Sequence, residues 1–237
     1  MKIREIIDTA GRRVKEDWKR LALFQLVIIF VFLALTILEY ALSRRVRMQS
    51  LKLLISFTLN LLKLLLTGGA AYGFMKAAVG EEVKVQDMFF VFWYDALTYT
   101  AVNLKIVLMF AAVIIIGLRW ISGLFFYAYT FTAALVVTYV LAACIWMFFR
   151  FRYFLSIYLL IDGEEVTSKW ALKRSARMME GNYIRLIGLQ LFFLPFILLS
   201  VLTCGIGFLF VLPWNNVANA LFYMDLICKD KKLEEQI

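Results

Sequence analysis

The chain contains no histidine, only two prolines and only three cysteines among its 237 residues. Without histidine it lacks the most common metal ligand and the most common general base near neutral pH. Cys144, Cys204 and Cys228 lie far apart and form no Cys-x-x-Cys pair, as a zinc or iron–sulfur site would require. A phosphate-binding loop, a Gly-x-Ser-x-Gly elbow and paired carboxylates inside a span are also missing. We therefore expect no catalytic residue, no metal and no cofactor.

Charge is scarce as well. Only 18% of the residues are charged, whereas 63% are hydrophobic and are concentrated in long blocks. A soluble domain is usually about half apolar and about a quarter charged, so this composition predicts an integral membrane protein. The net charge of +9 does not indicate nucleic acid as a partner, because the basic residues cluster at the ends of the apolar blocks.

The lengths of the apolar blocks predict an all-α, polytopic helical bundle. A bilayer core needs about 20 apolar residues in helix. The candidate spans are residues 21–38, 53–78, 104–118, 121–149 (continuing as a helix to 161), 183–202 and 205–226. The basic N-terminal stretch and the apolar run that follows are too long for a cleaved signal peptide, so we interpret them as a signal anchor.

Basic residues predict the orientation of these six spans. If the N-terminus is cytoplasmic, the inner segments hold 20 of the 26 lysine and arginine residues. Cytoplasmic loops are enriched in these residues, so we expect both termini in the cytoplasm. The cluster at 44–47 opposes this assignment: either it lies along the outer headgroups, or one span is misassigned.

The tetrapeptide Gly-Glu-Glu-Val occurs at 80–83 and again at 163–166, each time after an apolar run. We expect each glycine to end a helix and the acidic pair to lie near the start of the next one. After the second copy, Thr167 or Ser168 is a candidate N-cap.

A second repetition has an offset of 165 residues. It aligns five identical pairs: Arg12 with Arg177, Arg20 with Arg185, Leu21 with Leu186, Gln25 with Gln190 and Leu26 with Leu191. It also aligns two apolar stripes at helical spacing: Ile7, Gly11, Val14 and Trp18 with Leu172, Ala176, Met179 and Tyr183. One interpretation is a single domain, 1–237, of three units (1–78, 83–161 and 167–226), each an amphipathic helix on the cytoplasmic face followed by two spans. The alternative is that any basic amphipathic helix before a span resembles any other.

Motifs in the last third of the chain carry a family resemblance. They are Ser175, Met178, Met179, Gly181 and Asn182; Gly205, Ile206 and Gly207; Pro213 and Trp214; and Ala218, Phe222 and Tyr223. This pattern resembles the bacterial integral membrane family called domain of unknown function 975, although Trp214 stands where the family favours tyrosine. The resemblance implies a multi-span protein of the bacterial plasma membrane and supplies no catalytic residue. A fainter similarity to membrane domains attached to glycerophosphodiesterases implies at most an accessory role.

Lys63 is the most conspicuous polar residue inside a span. It lies near the middle of residues 53–78, and Asn60 is on the same helical face. An ionisable residue at this depth is a functional candidate by default. The alternative is a span shifted outward, with Lys63 extending its amine to the interface.

The sixth span carries a polar stripe of Asn216, Asn219 and Tyr223, close to Pro213. Proline frees a backbone carbonyl, so the stripe could line a cavity. Asparagines in spans more often form hydrogen bonds with neighbouring helices.

The basic residues beside the two apolar stripes suit an anionic inner leaflet. The candidate contacts are Arg12, Arg13, Arg20, Arg174, Arg177 and Arg185.

Two functions fit these features. The first is a non-enzymatic accessory, scaffold or regulatory component of a membrane machine, with a membrane protein or a second copy as its partner. The second is a transporter or channel for a small solute or lipid, with a polar path near Lys63 and the sixth span. The first rests on the basic helices and the missing catalytic motifs, the second on Lys63 and the asparagine stripe.

Overall fold

The computed structural model describes residues 2–94, 96–125, 131–163, 167–203 and 205–234. Its regular elements in these ranges are all helical. They are α1 (Ile3–Glu16), α2 (Trp18–Arg45), α3 (Gln49–Val79), a 3₁₀ helix (Val85–Phe89), α4 (Phe90–Tyr94), α5 (Ala96–Phe125), α6 (Phe131–Arg152), α7 (Ser156–Asp162), α8 (Ser168–Met179), α9 (Tyr183–Leu202) and α10 (Phe208–Glu234).

Within the described chain, four segments are long and apolar enough to cross a membrane: α2, α3, Val140–Asp162 and α9. They bear out the prediction of an all-α membrane protein, whereas the count of six spans stays a prediction. In α5, the described apolar stretch is the shorter Ala96–Met109. α10 has sufficient length, but Asn215, Asn216 and Asn219 lower its mean hydropathy.

The predicted spans differ in accuracy. The fifth agrees with α9 at both ends. The predicted break between the third and fourth spans at Arg119 and Trp120 is wrong, because α5 continues to Phe125 and α6 begins only at Phe131. An arginine is a good helix former and no proline lies nearby, so charge alone does not end this helix. The predicted continuation to residue 161 is interrupted by turns between Arg152 and Ser156.

The chain between α3 and α5 also departs from the prediction of a surface helix. It forms only the 3₁₀ helix and the short α4, and residues 96–103 already belong to α5. Glycines in α3 allow this segment to approach closely: a Cβ at Gly69 would collide with the Met88 backbone, and one at Gly68 would lie 2.7 Å from the Tyr99 ring. Small residues at a helix interface serve the same purpose elsewhere in membranes.

The first Gly-Glu-Glu-Val ends α3 as predicted. Gly80 has a φ of +97°, its N–H donates to the carbonyl of Ala77, and the N–H of Glu81 donates to that of Lys76. These bonds form a Schellman motif, which requires the left-handed conformation that glycine adopts readily. The acidic pair does not start the next helix. Instead, Glu82 forms an ion pair of 2.8 Å with Arg20 on α2.

The second copy is built differently. α7 ends before Gly163, whose φ of −103° is extended rather than left-handed, so this glycine is not an equivalent cap. Residues 164–166 lie outside the described ranges. Thr167 occupies the N-cap position of α8 as predicted, without a side-chain capping hydrogen bond.

The apolar stripes of α1 and α8 pack against protein. On α1, Ile7 is buried and the Gly11 backbone lies against the Trp214 ring of α10, while Trp214 Nε1 donates to the Ile7 carbonyl at 3.1 Å. On α8, Ala176 and Met179 are buried. At these positions the stripes contact neighbouring helices rather than lipid, whereas Trp18 at the end of the first stripe is 47% exposed.

Helix starts agree with the offset of 165: α1 begins at Ile3 and α8 at Ser168, and α2 begins at Trp18 and α9 at Tyr183. The division into three units stays a prediction. The helices define two ends of the bundle. The Met48 end is where α2 joins α3, and the Gly80 end is where α3 terminates and α6 reaches Arg152.

Candidate functional site

Lys63 lies at the middle of α3 and forms an ion pair with Glu39 on α2. The distance between Lys63 Nζ and Glu39 Oε2 is 2.8 Å, and the two side chains are 16% and 22% exposed. The Ser56 hydroxyl donates to the other carboxylate oxygen, and Asn60 Nδ2 lies 3.4 Å from that oxygen. Three donors of α3 at helical spacing therefore hold one carboxylate of α2.

Geometry explains why Lys63 reaches Glu39. Side chains on a helix lean toward its N-terminus, and the N-terminus of α3 is at the Met48 end. Glu39 lies near that end of α2, whose connection to α3 is only three residues long. The Lys63 amine therefore meets a carboxylate of the neighbouring helix, and both interpretations of this lysine stay predictions.

The sequence analysis did not identify Glu39, which directly follows the first predicted span, 21–38. A usable signal was present, because Glu39 is the only acidic residue within α2 and a cation at membrane depth needs an anion nearby.

A partly open cavity of about 1010 Å³ lies beside this pair, between α3, α5, α6, α7 and α10. Its wall is mostly apolar. The polar or charged residues on the wall are Asn60, Thr67, Thr100, Asn103, Arg150, Tyr153, Ser156, Tyr158, Asn216 and Asn219. Such a volume is at the upper end of the roughly 300–1,000 Å³ typical of small-molecule pockets.

The structure brings three of the five predicted polar residues to this wall: Asn60, Asn216 and Asn219. Asn219 also accepts a hydrogen bond of 2.7 Å from Gln190 on α9. It therefore both lines the cavity and bonds to a neighbouring helix, as the two interpretations of the stripe proposed. Tyr223 is not on the wall. It is buried, its hydroxyl donates to Asp162 at 2.8 Å, and its ring stacks on Tyr158.

Lys63 does not line the cavity, although Asn60 connects the two places through its contact with Glu39. Sequence reasoning missed Arg150 on the wall, which it had counted only among the basic residues at the end of a span. No periodic signal marks this arginine, because the turn after Arg152 decides which neighbours it has.

The motif around Ser175 builds the junction between α8 and α9. Ser175 Oγ donates to the Arg152 carbonyl at 3.2 Å, Met178 and Met179 are buried, and Gly181 has a φ of +78°. Asn182 Nδ2 donates to the Met178 carbonyl at 3.0 Å, and its oxygen accepts from Arg185. This run therefore specifies a sharp connection between two helices.

The downstream motif holds α10. Gly205, with a φ of +89°, turns the chain, and a Cβ at Gly207 would lie 2.5 Å from Ser200 Oγ. Trp214 packs edge-on against three phenylalanines of α9, at centroid distances of 5.0–5.8 Å.

These motifs belong to a longer match. The family described as protein of unknown function, DUF975, matches residues 1–230. The chain belongs to this family. We found no match among curated proteins or solved structures.

In this DUF975 protein, four of the six predicted leaflet-contacting arginines pair with acidic residues outside their own helix. Arg20 pairs with Glu82, Arg185 with Asp225 at 2.7 Å, and both Arg174 and Arg177 with Asp230 at 2.9 and 3.3 Å. Arg174 and Arg185 are mostly buried by these contacts. These four arginines therefore have a structural role, because they form ion pairs within the protein. Their contact with the inner leaflet stays a prediction.

Arg12 and Arg13 differ from these four. Arg12 is exposed, and its side chain makes only a 3.4 Å hydrogen bond to Thr9 among the described residues. Arg13 lies 3.6 Å from Glu16, one turn away. Within the described ranges of the DUF975 chain, no group of three or more metal-ligating side chains comes together.

Proposed function

We propose that this membrane protein takes up a lipid or a lipid-like solute in the cavity and acts as a carrier for it. The observation that carries the proposal is the cavity itself, with its volume of about 1010 Å³ and a mainly apolar wall. A cavity for a hydrated ion or sugar would need a mainly polar wall, whereas an acyl chain needs an apolar one. The asparagines of α3 and α10 supply a few fixed hydrogen-bonding groups on that wall.

The cavity can be filled to test this function. Ala71 and Ala101 line it from α3 and α5, so the double variant Ala71→Phe/Ala101→Phe should occupy much of its volume. We expect this variant to retain much less lipid after purification in a mild detergent, and to lose lipid or solute flux in proteoliposomes. Extraction with quantitative mass spectrometry measures the first quantity, and a fluorescent-lipid flux assay measures the second.

The matched control is Ala34→Phe, which adds a ring on an exposed position of α2 away from the wall. Unchanged retention and flux in a folded double variant would rule out the cavity as the site.

The second candidate is an accessory component that docks on a membrane protein partner or on another copy. Arg12 and Arg13 favour this candidate. Among the described residues, neither forms an ion pair with an acidic residue outside α1, so their positive charge can contact a partner. We expect Arg12→Glu/Arg13→Glu to insert normally and to lose its partner in crosslinking and affinity recovery. Arg174 and Arg177 are unsuitable for this test, since reversing them would break their pairs with Asp230.

Lys169→Glu/Lys173→Glu is the matched control, because it changes the net charge equally at exposed positions of α8. Equal partner recovery from all three proteins would contradict docking through Arg12 and Arg13. Under both candidates we propose a non-catalytic role.

We place the protein in the bacterial plasma membrane with six spans and both termini in the cytoplasm, as a proposal. Cytoplasmic segments of membrane proteins are enriched in lysine and arginine. In support of this orientation, several basic residues lie near the Gly80 end with their acidic partners: Arg20, Lys76, Arg174 and Arg185. Reactivity of Cys228, which is exposed near the C-terminus, toward an impermeant thiol reagent in whole cells would contradict this orientation.

A further inference from the structure

Arg150 brings a positive charge to the cavity wall close to the end of α6. Its side chain is exposed, and within the described ranges it has no carboxylate at ion-pair distance. Lys63, Lys76, Arg174 and Arg185, in contrast, each contact an aspartate or glutamate. A cation at the edge of an apolar cavity can pair with the anionic group of a ligand whose apolar part fills the cavity.

Away from Arg150, the wall becomes apolar. Along α3 it extends from Asn60 to Phe74 through leucines and alanines, a length of roughly 20 Å at about 1.5 Å per helical residue. One leaflet contributes about half of a hydrocarbon core of roughly 30 Å, so the wall is long enough for an acyl chain. The cavity thus has a cationic end near the Gly80 end and an apolar body, which is the complement of an anionic lipid.

We propose that the ligand of the cavity is an anionic phospholipid of the leaflet at the Gly80 end, with its phosphate on Arg150 and an acyl chain along the apolar wall. This inference rests on the proposed function and names the class of ligand. A guanidinium can bind two phosphate oxygens at once through parallel N–H donors.

The test measures lipid binding to the full-length protein by native mass spectrometry in a neutral detergent. The probes are phosphatidylglycerol and phosphatidylcholine with identical acyl chains, and inorganic phosphate as a free anion. We expect the wild-type protein to bind phosphatidylglycerol about tenfold more tightly than phosphatidylcholine. Both lipids carry a phosphodiester, but the choline ammonium offsets its charge and repels the Arg150 guanidinium. Inorganic phosphate at the same concentration should not compete.

Arg150→Gln should lose this preference, mainly through weaker binding of phosphatidylglycerol, because its neutral amide does not distinguish the headgroup charges. Arg150→Lys should keep part of the preference. Arg152→Gln is the control, because Arg152 is two residues away and does not line the cavity. Thermal unfolding of each variant verifies that it is folded.

The possible failures are distinguishable. If both lipids bind equally and Arg150→Gln changes nothing, the anionic ligand is wrong and the cavity remains a lipid site. If phosphate competes as well as phosphatidylglycerol, the site is one for a free anion and the inference is overturned. If neither lipid binds and the cavity-filled variant behaves as the wild type does, the inference and the proposed function both fail.

Discussion

Lys63→Met is expected to destabilise the protein strongly, and a second change at Glu39 is expected to restore the loss. The single variant leaves the Glu39 carboxylate with only Ser56 and Asn60 as donors. The Lys63 and Glu39 side chains are only 16% and 22% exposed, so removing the lysine leaves a carboxylate without its cation in a mostly enclosed place. Replacing both members is often neutral, so Lys63→Met/Glu39→Gln should recover most of the stability. Thermal unfolding of the purified variants in one detergent measures each difference.

Lys52→Met provides the control for losing a lysine from α3, since Lys52 lies near the start of the helix and has no acidic partner among the described residues. A single variant at Lys63 as stable as the wild type would show that the pair contributes nothing. A stable single variant without flux would instead assign Lys63 to transport, the role that the sequence suggested.

How far the sequence predicts this fold depends on whether a feature is local. The ends of α9 and the cap at Gly80 follow from short-range rules, namely hydrophobic length and the conformational freedom of glycine. The break misplaced at Arg119 shows the limit of such rules, because a charged residue can occupy a helix that the surrounding residues favour.

Features that depend on pairing between helices were only partly predictable. The sequence predicted the apolar stripe of α1 but placed it against lipid, whereas it packs against the Trp214 ring of α10. The residues of α1 alone do not show whether an acyl chain or a side chain covers the stripe. The polar stripe of α10 was predicted as a candidate cavity wall, and Asn216 and Asn219 lie on the wall of the cavity. Arg150 joins them only because α5, α6 and α7 meet there, which no sequence period records.

The tight approach of the 3₁₀ helix to α3 leads to the second large effect. Gly69→Ala is expected to destabilise the protein although alanine favours helix by about 1 kcal/mol over glycine. The added Cβ would collide with the Met88 carbonyl, a backbone group that cannot rotate away. The 3₁₀ helix would have to retreat from α3 and loosen the Tyr72–Phe90 stack, whose ring centroids are 3.8 Å apart. Overpacking of this kind typically costs about 1–3 kcal/mol.

Gly188→Ala in α9 is the matched control. Its Cβ would lie 3.2 Å from the terminal methyl of Ile3, which can move by rotation of its side chain. We therefore expect this control to be neutral or slightly stabilising in thermal unfolding, because only the gain in helix propensity remains. If Gly69→Ala raises the unfolding temperature as Gly188→Ala does, the 3₁₀ helix does not pack on α3 this closely. A loss confined to Gly69→Ala locates the constraint at the backbone contact between these two segments.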